Sequence, residues 1–276
     1  MATPIGNRAD ITLRALHVLG RADAVACEDT RVTAQLLAHY GLDKPLLAVH
    51  AHNENEAAAR VCERLAAGQA VAFVSDAGMP GVSDPGARLV AAAMAAGHRV
   101  VPIPGPSSAL AAISVAGDVA AQGFVFRGFL PAKGAERQAA LQGVAADAAA
   151  QVLFEAPHRI ESLAAGLAAA APLRRLTLAR ELTKQFETVV TLPAGAAPGW
   201  LAADANRLRG EFVLVLHAQP ALPVAGDALP AAAEHCLAVL QRELPLKQAV
   251  ALAAEISGAP RNALYQRALQ RRQEAG

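Results

Sequence analysis

The chain has 276 residues, 54% of them hydrophobic and 4% aromatic, with a formal net charge of +1. That length buries a large core and accommodates two domains, or two with an appendage. The near-neutral charge excludes a wholly basic nucleic-acid-binding surface, so contact with nucleic acid must come from local patches. Cys27, Cys62 and Cys236 are odd in number, far apart and outside any CxxC pair. They support neither a disulfide framework nor a zinc site and favour a reducing, cytoplasmic setting.

In chain order, residues 24–27 read as a strand, 32–40 as a helix ended by Gly41, 46–49 as a strand and 54–67 as a helix stopped by Gly68. Strand 70–74, helix 85–96, strand 99–103 and helix 107–116 follow. Such alternation predicts a parallel sheet covered by helices on both faces. The uncharged window 100–117 is long enough to suggest a membrane span, but Pro102, Pro104 and Pro106 exclude one. After Gly117-Asp118 the pattern resumes with strand 124–129, helix 136–146, strand 152–155, helix 158–169 and strand 176–179. Apolar runs 187–192 and 212–216 are expected to pair antiparallel, giving a second α/β half with a mixed sheet. The proline-rich stretch 219–230 reads as a linker. The tail, 231–276, is helical, its helix 247–256 followed by another from about Pro260. That spacing suits a helix-turn-helix or a plain helical hairpin. Arg261, Arg267, Arg271 and Arg272 make this end locally basic. The division expected is therefore 1–117, 118–218, a linker 219–230 and a tail 231–276.

The run VSDAGMPGVSDPG, residues 74–86, occupies the carboxyl end of a predicted strand, where open parallel sheets bind ligands. Gly78 and Gly81 permit close backbone approach, while Ser83 or Asp84 is placed to cap the next helix and Pro85 to begin it. Capping thus accounts for Asp84; Asp76 has no such structural account. At the following strand end, Gly105-Pro106-Ser107-Ser108-Ala109 approaches a nucleophile elbow. Pro106 restricts the sharp turn an elbow needs, and Ser107 reads first as a helix N-cap. Polar clusters at Glu28–Arg31, His52–Glu54, Glu155–Arg159 and Arg180–Lys184 each follow a strand and together outline one polar cleft. His52, Glu54 and His158 are metal-ligand types, but no HxxxH or HExxH spacing supports a metal.

The runs ATPIGNRADITLRAL, CEDTRVTAQLL, HNENE, VSDAGMPGVSDPG, PGPSSA, FEAPHRI, ARELTK and GEFVLVL resemble the tetrapyrrole methylase superfamily. Together with LPLKQAVALAAEISG in the tail, they resemble most closely its branch acting on small-subunit ribosomal RNA. The resemblance implies two α/β/α domains of the class III methyltransferase type, with the tail as a small helical appendage. It also implies S-adenosylmethionine as cofactor and a homodimer. The activity implied is 2′-O-methylation of a cytidine in the 16S RNA of the small ribosomal subunit; a corrin or porphyrin C-methyltransferase is the alternative. By the same carry-over, Pro4, Asp76, Ala77, Gly78, Met79, Ser107, Ser108, Phe154, Gly210 and Glu211 approach the cofactor. Family members place an apolar strand before the run matching ATPIGN, so a natural start upstream of Met1 is expected.

For ribose methylation, orientation of the 2′-hydroxyl is the main requirement, and a general base adds to it. Glu155, His158 and Glu181 are the candidate bases, with Arg159 offsetting charge beside them. Arg31, Arg180 and Lys184 are candidates for RNA phosphates, with ordinary ion pairing as the competing role for each.

Overall fold

The computed structural model describes residues 1–50, 53–219 and 229–274. His52 and most of the expected linker, 220–228, lie outside the described residues. The chain divides into two compact units, Met1–Gln219 and Pro220–Gly276.

The first unit begins with α1 (Leu13–Arg21), whose first turn is held by the Thr12 hydroxyl accepting from the Ala15 N–H at 3.1 Å. Then come β1 (Ala24–Cys27), α2 (Thr30–His39), β2 (Leu46–Ala48), α3 (Glu54–Ala66), β3 (Val71–Val74), α4 (Ala87–Ala95) and α5 (Ser108–Ala116). β1 is central in a parallel sheet of order β2-β1-β3, pairing Val25 with Leu46 and Cys27 with Val74. Its four buried residues alternate between faces, as a strand requires. Ala24 and Ala26 pack with α3 and α4 through Ala57, Val61 and Leu89. Val25 and Cys27 pack with α1 and α2 through Leu19 and Leu37. Three layers result.

Residues 99–103, expected as a strand, form none. A strand needs a hydrogen-bonded neighbour over several residues. Here the Ala2 N–H donates to the Ile103 carbonyl, and Val100 and Val101 remain 43% and 44% exposed.

The same unit continues with β4 (Phe124–Phe129), α6 (Gly134–Ala146), β5 (Ala150–Glu155), α7 (Ile160–Ala170), β6 (Arg175–Arg180), β7 (Thr188–Pro193), α8 (Ala197–Ala202) and β8 (Phe212–Leu216). The sheet order is β4-β5-β8-β6-β7, parallel only between β4 and β5. The expected pairing of runs 187–192 and 212–216 is therefore corrected, because β6 lies between them and is antiparallel to both. β8 is buried along its whole length, which suits a central strand, and β7 folds straight back on β6. One face of this sheet packs Leu153, Leu178 and Leu214 against Ile160, Leu163 and Leu167 of α7. The other packs Val152, Ala179, Val213 and Val215 against Ala109, Ala112 and Ala116 of α5. α5 follows the first sheet in sequence but rests on the second, which brings the strand ends of both sheets to one cleft.

The second unit holds α9 (Ala231–Glu243), α10 (Leu246–Ser257) and α11 (Arg261–Glu274). They enclose Leu237, Val250, Leu264 and Ala268. Gly258, at φ 68°, ends α10 in a left-handed turn. Arg267 and Arg271 both reach Glu234, at 2.8 and 3.9 Å, which neutralises part of the basic face.

Candidate active site

A cavity of about 340 Å³ opens where the two sheets meet. The loop after β3 supplies Ala77, Gly78, Met79, Ser83 and Asp84, the start of α5 supplies Ser107 and Ser108, and the end of β5 supplies Phe154 and Glu155. Glu211, Phe212 and Val213 enter from the start of β8. Antiparallel register explains the last group: Phe212 lies opposite both Glu155 and Arg180, so β8 begins where β5 and β6 end. Leu182 and Ile5 complete the apolar wall. Phe154 meets the rings of Phe126 and Phe129 edge-on, with centroids 5.0 and 5.6 Å away.

The loop after β3 is fixed from below. Thr3 and Gly78 exchange backbone hydrogen bonds of 2.9 and 3.0 Å, and the Thr3 hydroxyl donates to the Ser75 carbonyl at 3.0 Å. Gly78 holds φ 76°, which a side chain would resist. Among the described residues, the non-glycine positions at positive φ are Ser83, Glu181 and Thr183. Ser83 lines the cavity, and the other two flank Leu182, which also lines it. Strain of this kind persists where surrounding structure enforces it, and it clusters at ligand sites.

Of the residues predicted to hold a cofactor, Ala77, Gly78, Met79, Ser107, Ser108, Phe154 and Glu211 line the cavity; Pro4, Asp76 and Gly210 do not, though each is the sequence neighbour of a residue that does. Asp76 has a structural task after all: its Oδ1 accepts from the Asp29 N–H at 3.0 Å and ties β3 to β1. Asp84 is not the cap of α4 that the sequence suggests. Gly86 occupies the N-cap, and Glu54 Oε1 accepts from the Gly86 and Arg88 N–H groups, each at 2.9 Å. Glu54, considered above as a ligand type, is thus buried and committed to this helix end. Ser107 stands at the N-cap of α5, yet its hydroxyl makes no capping bond, and the residue lines the cavity.

The predicted polar residues form two networks. Glu155 is fully buried, with Arg159 Nε 3.0 Å from Oε1 and Arg137 3.6 Å from Oε2. Arg159 and Arg137 donate onward to the Leu130 and Pro131 carbonyls at 2.6 and 3.0 Å. The second network joins Lys184 to Glu181 at 2.9 Å and to Glu211 at 2.8 Å, while Glu181 also accepts from the Glu211 N–H. Burial works to raise the Glu181 carboxyl, but the Glu211 N–H and Lys184 outweigh it and leave the group below its ordinary range. His158 is exposed on the short turn after β5 and does not line the cavity. Arg180 is buried and donates to the Arg209 carbonyl at 3.2 Å, whereas Arg31 is 85% exposed and pairs with Asp29 at 2.6 Å.

Gly210 lets the second network close. It holds φ 87°, and a Cβ there would meet Glu181 Cγ at 2.4 Å. Gly210→Ala should cost about 1–2 kcal/mol for its left-handed backbone alone and push Glu181 away from Lys184. Urea unfolding should register the loss, and calorimetry should show weaker binding of S-adenosylhomocysteine; wild-type values in both would mean that the turn relaxes freely.

The cavity suits a nucleoside-sized cofactor: small-molecule sites begin at about 300 Å³ and are mainly apolar with a few placed polar groups. Solved structures share the fold. The methyltransferase CobJ aligns with TM-score 0.59 at 19% identity, covering 83% of this chain and 95% of its own. Uroporphyrin-III C-methyltransferase from Thermus thermophilus, complexed with S-adenosylhomocysteine, aligns with TM-score 0.54 at 19% identity over 78% of this chain and 94% of its own. The architecture is thus that of a class of methyltransferases. Residues 2–198 match the Tetrapyrrole (Corrin/Porphyrin) Methylases family, and the chain belongs to it. Residues 227–272 match the RsmI C-terminal HTH domain. Proteins named ribosomal RNA small subunit methyltransferase I are close relatives. That of Pseudomonas aeruginosa is 48% identical over 98% of this chain and 96% of its own length. Those of Neisseria meningitidis and Escherichia coli O157:H7 are 49% and 47% identical, covering 98% and 97% of this chain and 91% and 93% of their own lengths.

Proposed function

We propose that this protein methylates small-subunit (16S) ribosomal RNA, at the 2′-oxygen of a cytidine, with S-adenosylmethionine as methyl donor. The observation that carries the reading is the near-complete match, in both directions, to relatives named for that RNA subunit. The tetrapyrrole alternative rests on fold neighbours of 22% identity or less, which supports the fold alone.

Ala77, Gly78, Met79, Ser107, Ser108 and Phe154 would hold the donor, offering it an apolar wall and two hydroxyls. When bound, S-adenosylmethionine supplies a methyl group already activated on a cationic sulfur. The protein's own task is to orient the acceptor and exclude water, and orientation alone is worth about 7–11 kcal/mol. The acceptor nucleotide must be single-stranded or splayed for its 2′-oxygen to enter the cleft. Of the cations considered for RNA, Arg31 is the most exposed, although it too pairs with a carboxylate, Asp29, whereas Arg180 is buried and Lys184 is held between two carboxylates. Phosphate contact therefore falls to Arg31, aided in the tail by exposed Arg261 and Lys247. The proposal extends to a homodimer in the cytoplasm. Its three cysteines are free, and no helix among the described residues is long and apolar enough to cross a membrane.

The test is transfer from methyl-labelled S-adenosylmethionine to small ribosomal subunits from cells lacking the enzyme, followed by digestion to nucleosides. Label is expected in 2′-O-methylcytidine. Label confined to a base, or none, would overturn the reading.

A further inference from the structure

We infer that Asp84 is the group that takes the proton from the methyl-accepting hydroxyl. The inference rests on the methyltransferase reading above and concerns a residue that the sequence assigned to capping.

Three carboxylates line the cavity: Asp84, Glu155 and Glu211. Glu155 is sealed from solvent and held by two guanidinium groups. Glu211 is bound to the Lys184 ammonium at 2.8 Å. A carboxylate held by a cation is a poor base, since the cation stabilises the form that must accept the proton. Asp84 has no cation partner among the described residues. The titratable groups facing it are Glu28 from the end of β1 and Asp76 from the end of β3, with the Ser75 hydroxyl beside them. From α3, Glu54 is committed to the Gly86 and Arg88 N–H groups and so fixes the backbone just beyond Asp84. On its other side, Ser83 is held at φ 67°, with Oγ against Gly128 of β4. Asp84 is therefore a carboxylate on the cavity wall with no cation partner among the described residues, next to a backbone fixed by Glu54.

Burial, followed by repulsion from Glu28 and Asp76, raises the Asp84 carboxyl to about 6. It is ionised at neutral pH yet more basic than an ordinary carboxylate, the condition that favours general-base catalysis. A raised value means that Asp84 is protonated below about pH 6 and active as a base above it. In the step itself, the 2′-oxygen gains the methyl carbon as the carbon–sulfur bond breaks with its electron pair left on sulfur. The hydroxyl proton passes to an Asp84 Oδ and from there to water.

The experiment compares full-length wild type and Asp84→Asn. Single-turnover rates on small ribosomal subunits are measured from pH 5 to 9 at saturating donor, and S-adenosylhomocysteine affinity by calorimetry. The variant should lose roughly 10²–10⁴-fold in rate and lose the acid limb near pH 6, with affinity within twofold of wild type. Retained rate with the acid limb intact would overturn the inference. So would a rate loss that saturating donor reverses, which would make Asp84 a donor ligand instead. Should the variant not fold, the carboxyl carbons of isotope-labelled wild type are titrated by NMR. An Asp84 signal in the ordinary aspartate range, near 4, overturns the inference; one near 6 supports it. An inactive wild type would refute the functional reading as well, whereas active wild type with active Asp84→Asn refutes this inference alone.

Discussion

Arg174→Met is expected to cost on the order of 4 kcal/mol of stability while leaving cofactor affinity at low temperature unchanged. Arg174 is buried just before β6 and donates to five backbone carbonyls: His217 at 2.6 Å, Val144 at 3.3 Å, Ala145 at 3.2 Å, Asp147 at 2.8 Å and Ala149 at 2.6 Å. One side chain thus joins the end of α6, the start of β5 and the residue after β8. Methionine replaces its length but none of its hydrogen bonds, and each buried carbonyl left without a partner costs about 1–3 kcal/mol, reduced where water enters. Lysine should rescue little, because a single ammonium cannot reproduce the planar fork. The cavity lies at the opposite end of β6, beyond Arg180, so binding should survive until the fold fails. Urea denaturation checks the cost directly. A loss below about 1 kcal/mol, the worth of one ordinary hydrogen bond, would mean that water replaces the guanidinium fully.

What the sequence made legible follows the range of the interactions involved. Buried strands such as Ala24–Cys27 and Phe212–Leu216 declare themselves as short apolar runs, and Gly41, Gly68, Gly97 and Gly117 mark the ends of α2, α3, α4 and α5. The cavity wall at Ala77–Met79, Ser107 and Phe154 was also legible, through family motifs rather than periodicity. Pairing was not: nothing local says that β6 separates β7 from β8. The two Ser-Asp pairs of the β3 loop show the same limit most clearly. Their presence was evident, but the partners of each aspartate were not, because each depends on a distant group. Asp76 is taken by an N–H 47 residues away. Asp84 is released from capping by Glu54, 32 residues before Gly86. The ion pairs of the candidate bases Glu155 and Glu181 were hidden for a similar reason, since the arginines and lysine that hold them meet them only in the folded arrangement.

Glu155→Ala should lower stability by about 3–5 kcal/mol, because removing one member of a buried charged group strands the others. For a unit of this size the melting temperature should fall by on the order of 10 °C. Arg137 and Arg159 would lose their common carboxylate, and they are the groups that grip the Leu130 and Pro131 carbonyls. The loop after β4 would loosen beside Phe129, which lines the cavity, so donor affinity should fall together with stability. Glu155→Gln should lie between: its amide oxygen still accepts from the Ala156 N–H, a 3.0 Å bond in the wild type, but carries no charge toward the guanidinium groups. Thermal melts and S-adenosylhomocysteine calorimetry on the two variants separate a positioning role from a chemical one. If alanine at 155 left melting temperature and affinity intact yet abolished turnover, Glu155 would be the base after all, and its two arginines would be tuning it rather than being organised by it. If both fall together and the glutamine variant recovers part of each, the carboxylate acts through the arginines. The proton then has Asp84 as the carboxylate on the wall with no cation partner among the described residues.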